Sequence, residues 1–129
     1  MANYLVQGVR SVEISTSNLD RAAAFYEDAL GLERTVWSYP GALFLSAGGY
    51  HHHLGLNTWA PGASPAGDDE ARLLSWDLLV PSAEDVARAT RRLEAAGYRA
   101  DSGPGGSDGP GVVVRDPWGT ALRIRSDRP

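Results

Sequence analysis

The chain has no cysteine, so disulfides and thiolate chemistry are excluded and any redox compartment is permitted. It has no run approaching the ~20 apolar residues of a membrane-crossing helix. Its N-terminus lacks the charged-then-apolar layout of a secretory signal. Basic charge is not in surplus: 12 Lys and Arg stand against 16 Asp and Glu, a net −4. That balance leaves no electrostatic footprint for nucleic acid or an anionic membrane, and neither is expected as a partner. Cytoplasm is the expected location. What is present is ordinary for a soluble globular protein: 129 residues, 43% apolar and 22% charged. The length suits one domain, 1–129, able to bury a real core.

The most informative stretch is Tyr50-His51-His52-His53-Leu54-Gly55-Leu56-Asn57-Thr58-Trp59, which holds all three histidines. Its alternation reads as a strand, in which successive side chains point to opposite faces. That parity puts His51, His53, Gly55, Asn57 and Trp59 on one face, and His52, Leu54, Leu56 and Thr58 on the other. The leucines ask for a hydrophobic layer, so the first face is expected to line a binding cavity. Neutral imidazole is a common metal ligand. However, His52 cannot join its neighbours on one strand face, so hydrogen-bonding or pocket-lining histidines are the preferred reading.

Around this stretch the order β-α-β-β-β reads twice. In module one, about 8–60, Val12, Ile14 and Thr16 alternate with Ser11, Glu13 and Ser15. Asn18 can cap a helix carrying Leu19, Ala23, Tyr26 and Leu30, which Gly31 ends. Strand-like runs at 33–39 and 42–47 follow, joined by a Pro40-Gly41 turn, and the histidine strand is fourth. A Pro, Gly and Asp-rich linker spans about 61–72, and its Asp68-Asp69-Glu70 reads as a solvated loop. In module two, about 73–126, Leu74, Trp76, Leu78 and Val80 alternate with Ser75, Asp77 and Leu79. Ser82 with Asp85 approximates a capping box, and Val86, Ala89, Leu93 and Ala96 stripe a helix ended by Gly97. A short strand at 98–101, a strand at 112–114, a turn at Asp116-Pro117-Trp118-Gly119 and a strand at 121–125 complete it. The glycine-rich stretch 102–111 reads equally as a closing loop or a plain connection. A repeated unit of this kind predicts an α+β fold. Two βαβββ modules would form a cup-shaped mixed sheet with helices on the outer face. Ser11, Glu13, Ser15, His51, His53, Asn57, Trp59, Ser75, Asp77, Arg123 and Arg125 would face inward. Trp37, Tyr39 and Phe44 would add aromatic surface, while Tyr26 and Trp76 are expected in the core.

Across nearly its whole length the chain resembles the vicinal oxygen chelate superfamily, the glyoxalase, bleomycin-resistance and extradiol dioxygenase group. The likeness is carried by Val12-Glu13-Ile14, Ser17-Asn18-Leu19-Asp20-Arg21, Phe25-Tyr26 and Leu30-Gly31 in the first module. Arg115-Asp116-Pro117-Trp118-Gly119 and Leu122-Arg123-Ile124 carry it in the second. The histidine string is similar to one in catechol-dioxygenase-like members, whose iron usually sits in another module with its own ligands. Metal-dependent members usually take a histidine from the first strand of each module and a carboxylate from a last strand. The matching positions here hold Ser11, Ser75 and Arg123, and the first-module carboxylate position falls near Leu54 or Gly55. A serine hydroxyl is a poor ligand and a guanidinium cannot bind a cation. No metal or other cofactor is therefore expected.

The resemblance and the residues together point to metal-free binding of a small aromatic or apolar molecule, of the antibiotic-sequestering kind. The ligand-binding candidates are Glu13, Trp37, Tyr39, His51, His53, Asn57, Trp59, Asp77 and Arg123. Four tryptophans and five tyrosines supply flat surface. The alternative is a metal-dependent lyase or ring-cleaving dioxygenase with a displaced site around Glu13, His53 and Asp77. A bland rival pairs Glu13 with Arg123 as an ion pair. A homodimer is the arrangement the resemblance implies.

Overall fold

The computed structural model describes residues 11–60, 62–64, 66–102 and 111–126. Two four-stranded mixed sheets carry the repeated order. The first module runs β1 (Val12–Ser15), α1 (Leu19–Ala23), a π-helical turn (Ala24–Ala29), β2 (Glu33–Val36), β3 (Ala42–Ser46) and β4 (Leu54–Asn57). The second runs β5 (Ser75–Val80), α2 (Ala83–Ala95), β6 (Ala100–Ser102), β7 (Gly111–Arg115) and β8 (Ala121–Ser126). In the first sheet the order is β1-β4-β3-β2, and in the second β5-β8-β7-β6. The first strand of each module, β1 or β5, pairs parallel with its neighbour, and the other pairings are antiparallel.

Local chemistry sets the helix ends. Asn18 is extended and its side chain accepts from the Arg21 N–H at 3.0 Å, satisfying one of the orphan donors of the first turn. Past Ala23 the helix widens, and the Leu30 N–H reaches the Phe25 carbonyl five residues back. Phe25, Tyr26, Ala29 and Leu30 are all buried there. Ser82 caps α2 through the Asp85 N–H, and its hydroxyl donates to the Asp85 carboxylate. Gly31 and Gly97 leave the two helices with φ of +96° and +92°, a region that favours glycine.

One hydrophobic core serves both modules. Leu43, Leu45, Leu54 and Leu56 of the first sheet and Leu78, Val80, Leu122 and Ile124 of the second meet Phe25, Tyr26, Val86 and Leu93 of the helices. Phe25 packs edge-on against Tyr98 at 4.8 Å, and Tyr26 lies 6.3 Å from Trp76. Polar links cross the same seam. Tyr26 Oη donates to Asp116 Oδ2 at 2.7 Å, while Asp116 Oδ1 accepts from the Trp118 and Thr120 N–H groups of the turn. Arg92 of α2 donates to the carbonyls of Asp28 and Ala29, capping the end of the first helix.

The strand alternation holds and fixes two open faces. Residues facing the helices are buried or half-buried, whereas Glu13, Ser15, Ser75 and Arg123 are exposed. Several sequence expectations shift at their ends. The run 33–39 ends as a strand at Val36, and 73–80 begins at Ser75. The histidine segment differs more, because β4 starts only at Leu54. The His51 carbonyl accepts from the Thr35 hydroxyl at 2.7 Å instead of joining the ladder. Two successive glycines with positive φ, Gly48 and Gly49, turn the chain just before it. Of the glycine-rich stretch 102–111, only Ser102 and Gly111 are described, at the ends of β6 and β7. Among the described residues no helix is long and apolar enough to cross a membrane.

Candidate functional site

Chemistry-bearing side chains gather on the open face of each sheet. On the first, parallel pairing sets Glu13 beside Gly55 and Ser15 beside Asn57, while antiparallel pairing sets Phe44 on the other side of Gly55. The glycine is what lets this row close up: a Cβ at Gly55 would collide with the Glu13 carboxylate. That carboxylate lies over β4, and its Oε1 is 3.1 Å from His52 Nε2. Ser11 Oγ donates to the same oxygen at 3.3 Å. The His52 ring sits 5.0 Å from Phe44. Tyr39 meets Phe44 edge-on at 5.5 Å and Trp59 at 6.1 Å. Trp59 also lies against Gly41, and its N–H points to the Pro40 carbonyl at 3.5 Å. The result is a polar corner of Glu13, His52, Ser11, Ser15 and Asn57 beside a platform of Phe44, Tyr39 and Trp59.

Strand parity therefore misassigned the histidines. His52, expected on the helix side, faces Glu13 on the open side, because residues 51–53 precede the strand and do not follow its alternation. His53 is half-buried: its Nδ1 accepts from the Ala47 N–H at 3.3 Å and its ring stacks on Tyr50 at 4.8 Å. Burial, with the neighbouring charges of His51 and His52 adding to it, holds the His53 imidazole below its ordinary pKa. His51 packs against Tyr50 and His52. Trp37 projects from the sheet, 76% exposed, with the Arg34 guanidinium 5.1 Å from its ring.

On the second face the register places Asp77 beside Arg123. Arg123 Nε and Nη2 grip the two Asp77 oxygens at 2.9 and 2.8 Å, and Arg125 Nε adds a third bond at 2.9 Å. These bonds, Arg123's first, hold the Asp77 carboxyl below the usual carboxylate range against the opposing effect of burial. The anticipated Glu13–Arg123 ion pair is thus replaced by a Glu13–His52 hydrogen bond and a separate Asp77–Arg123 ion pair. Glu13, His53 and Asp77 do not converge, and among the described residues no three His, Cys, Asp or Glu side chains gather to hold a metal ion. At the ligand positions that the resemblance implies stand Ser11, Ser75 and Arg123, the last already engaged with the Asp77 carboxylate. That donor set does not suit a divalent cation.

A cleft of about 1070 Å³ opens where the modules meet, lined by Ser15, Ser17, Arg72, Leu74, Trp118 and neighbouring residues. Trp118 Nε1 donates to Ser17 Oγ at 2.9 Å across it. Of the nine candidate contacts only Glu13 borders this cleft, and the cleft meets the open faces at Glu13, Ser15 and Ser75. We regard the faces as the stronger site, because charged and aromatic groups converge there. Sequence reasoning passed over His52 and Gly55 as site residues, although the Glu13–Gly55 juxtaposition follows from parallel pairing of β1 and β4.

The sequence profile of the Glyoxalase/Bleomycin resistance protein/Dioxygenase superfamily matches residues 8–124. The chain belongs to that superfamily. It is similar to a catechol-2,3-dioxygenase of Bacillus subtilis (strain 168), 41% identical over 90 residues. That match covers 67% of this chain and 31% of the relative, so the chain spans under a third of the dioxygenase's length. Among solved structures, a glyoxalase/dioxygenase from Nostoc punctiforme superposes with a TM-score of 0.75 at 18% identity, covering 98% of this chain and 99% of that one. TnmS3, an antibiotic binding protein from Streptomyces sp. CB03234, gives 0.67 at 21% identity, with 94% and 96% covered. At such identities these structures speak for the superfamily fold alone.

Proposed function

We propose that this superfamily member binds a small aromatic molecule carrying an acidic or phenolic oxygen, without a resident metal, as a sequestering protein. The observation that carries the reading is the pairing of an aromatic platform (exposed Tyr39 and Trp59 on half-buried Phe44) with ion-paired or hydroxyl side chains at the family's metal positions. The aromatic rings offer stacking, and the Arg123 fork offers directional bonds to an oxygen anion. Glu13, Trp37, Tyr39, His51, His53, Asn57, Trp59, Asp77 and Arg123 remain the candidate contacts, with His52 added.

Both open faces are exposed in the single chain, Trp59 to 59%. We propose that a homodimer completes the cup, the first sheet of one protomer facing the second sheet of its partner. That would bring the Glu13 face toward the Arg123 face, with complementary charge.

A dioxygenase-like activity is the second reading, supported by the 41% identity to the catechol-2,3-dioxygenase. One experiment separates the two: metal analysis after dialysis against a chelator, followed by titration of 4-hydroxybenzoate against wild type, Trp59→Ala and Arg123→Ala. The binding reading expects no stoichiometric metal. It expects a loss of about 0.5–1.5 kcal/mol in affinity for the tryptophan variant and about 1–3 kcal/mol for the arginine variant. Stoichiometric iron, zinc or manganese, or unchanged affinity in both variants, would overturn it.

A further inference from the structure

Glu13 and His52 meet on the open face in a geometry that simple ion pairing does not require. The Glu13 carboxylate lies down across Gly55, the one residue type that leaves room for it, and reaches His52 Nε2 at 3.1 Å. Ser11 Oγ holds the same oxygen. An ionised carboxylate only accepts, so in the neutral imidazole the proton sits on Nε2 and the lone pair on Nδ1. Among the described residues no group bonds to His52 Nδ1, and the ring is partly open, with 23% of its side chain exposed. Phe44 stands 5.0 Å from the imidazole and beside Gly55 in register, so a flat ring laid on Phe44 comes to the edge of the dyad.

We propose that Glu13 and His52 form an acid–base dyad that takes the proton of a phenolic hydroxyl on the bound ring. The O–H bond breaks, and the proton passes to His52 Nδ1. The ring oxygen becomes a phenolate, and the imidazolium is held by the Glu13 carboxylate. Charge balances, since one new cation and one new anion form and no other reactant is needed. Ser11 and Gly55 are positioning residues: the first anchors the carboxylate oxygen and the second makes space for it. The charged and titratable groups around His52 are Glu13 from β1 and His51 and His53 from its own segment, while Phe44 of β3 adds none. The inference rests on the aromatic-binding reading above.

The test uses 4-nitrophenol, whose absorbance reports its own ionisation, with 4-nitroanisole as a control that has no proton to give. At saturating probe, wild-type protein is expected to shift the bound phenol's ionisation about tenfold toward phenolate, one pKa unit of the probe. His52→Phe should abolish the shift, and Glu13→Gln and Gly55→Ala should reduce it. A bound phenol that ionises as it does free, with 4-nitroanisole also binding, would overturn the dyad and leave the binding reading standing. If neither compound binds, the binding reading fails and takes the dyad with it. A shift that survives His52→Phe also overturns the proposal. Should that variant not fold, nitrogen NMR of wild-type His52 decides: the Nε2–H tautomer is required, and the Nδ1–H tautomer would refute it.

Discussion

Asp77 accepts three bonds from two guanidinium groups, and His53 spends a ring nitrogen on a backbone N–H; both therefore tie proton binding to folding. The folded Asp77 carboxyl titrates below its ordinary 3.8, because Arg123 and then Arg125 stabilise the anion. The unfolded chain then binds its proton first as acid is added. Asp77's contribution is complete above the unfolded value and lost as the pH falls through the lower folded one. His53 follows the same sign at a higher pH. Burial lowers its pKa from 6.5, so the native state resists a proton that the unfolded chain takes. Stability is expected to decline as the pH drops below about 6.5 and again below about 4. Urea denaturation at a series of pH values checks this, with His53→Gln expected to remove the upper step. A profile flat from pH 7 to 5 in wild type would contradict it. Tyr26 shifts upward: burial first, then the adjacent Asp116 charge, pushes its phenol well above its ordinary pKa.

Two glycines show how strand and helix ends serve different ends. Gly31 combines a φ of +96° with the Arg92 guanidinium only 3.1 Å from where a Cβ would lie. Gly31→Ala therefore meets backbone strain and displaces the cap that Arg92 provides. It should cost about 1 kcal/mol or more, read as a melting temperature several degrees lower. Gly55 has no such strain, and the nearest atoms a Cβ there would meet belong to the movable end of Glu13. Gly55→Ala should leave the melting temperature within a degree or two while freeing the Glu13 carboxylate from His52. A calorimetric scan of both variants tests the contrast, and equal destabilisation would refute it. Most of this element-level detail was legible beforehand. Asn18 and Ser82 have the side chains that cap, Gly31 and Gly97 stop helices, and alternation at Leu54 and Leu56 marks a strand with one buried face. The histidines were less legible. Period-two parity applies only inside a strand, and residues 51 and 52 sit between a double-glycine turn and His53, whose backbone makes the first bonds to Leu45 and Val12.

At the scale of the whole molecule, repetition of β-α-β-β-β in the sequence led directly to the superfamily fold, since each module buries one sheet face against its own helix. The seam between modules was far less visible. It depends on contacts spanning long stretches of chain, Tyr26 to Asp116, Ser17 to Trp118 and Arg92 to Asp28, which no local pattern announces. The ion pairs of the site were mispaired for a related reason. Asp77 lies beside Arg123 only because β5 and β8 are parallel neighbours, and Glu13 lies beside Gly55 only because β1 and β4 are. The central functional claim is metal-free recognition of an aromatic ligand on these open faces. Its most direct test is an amide chemical-shift titration of chelator-treated protein with 4-hydroxybenzoate. Saturable shifts centred on Glu13, Phe44, Asn57, Trp59, Asp77 and Arg123 are predicted. Shifts confined to the cleft around Ser17, Leu74 and Trp118, or binding that appears only after a divalent metal is added, would contradict it.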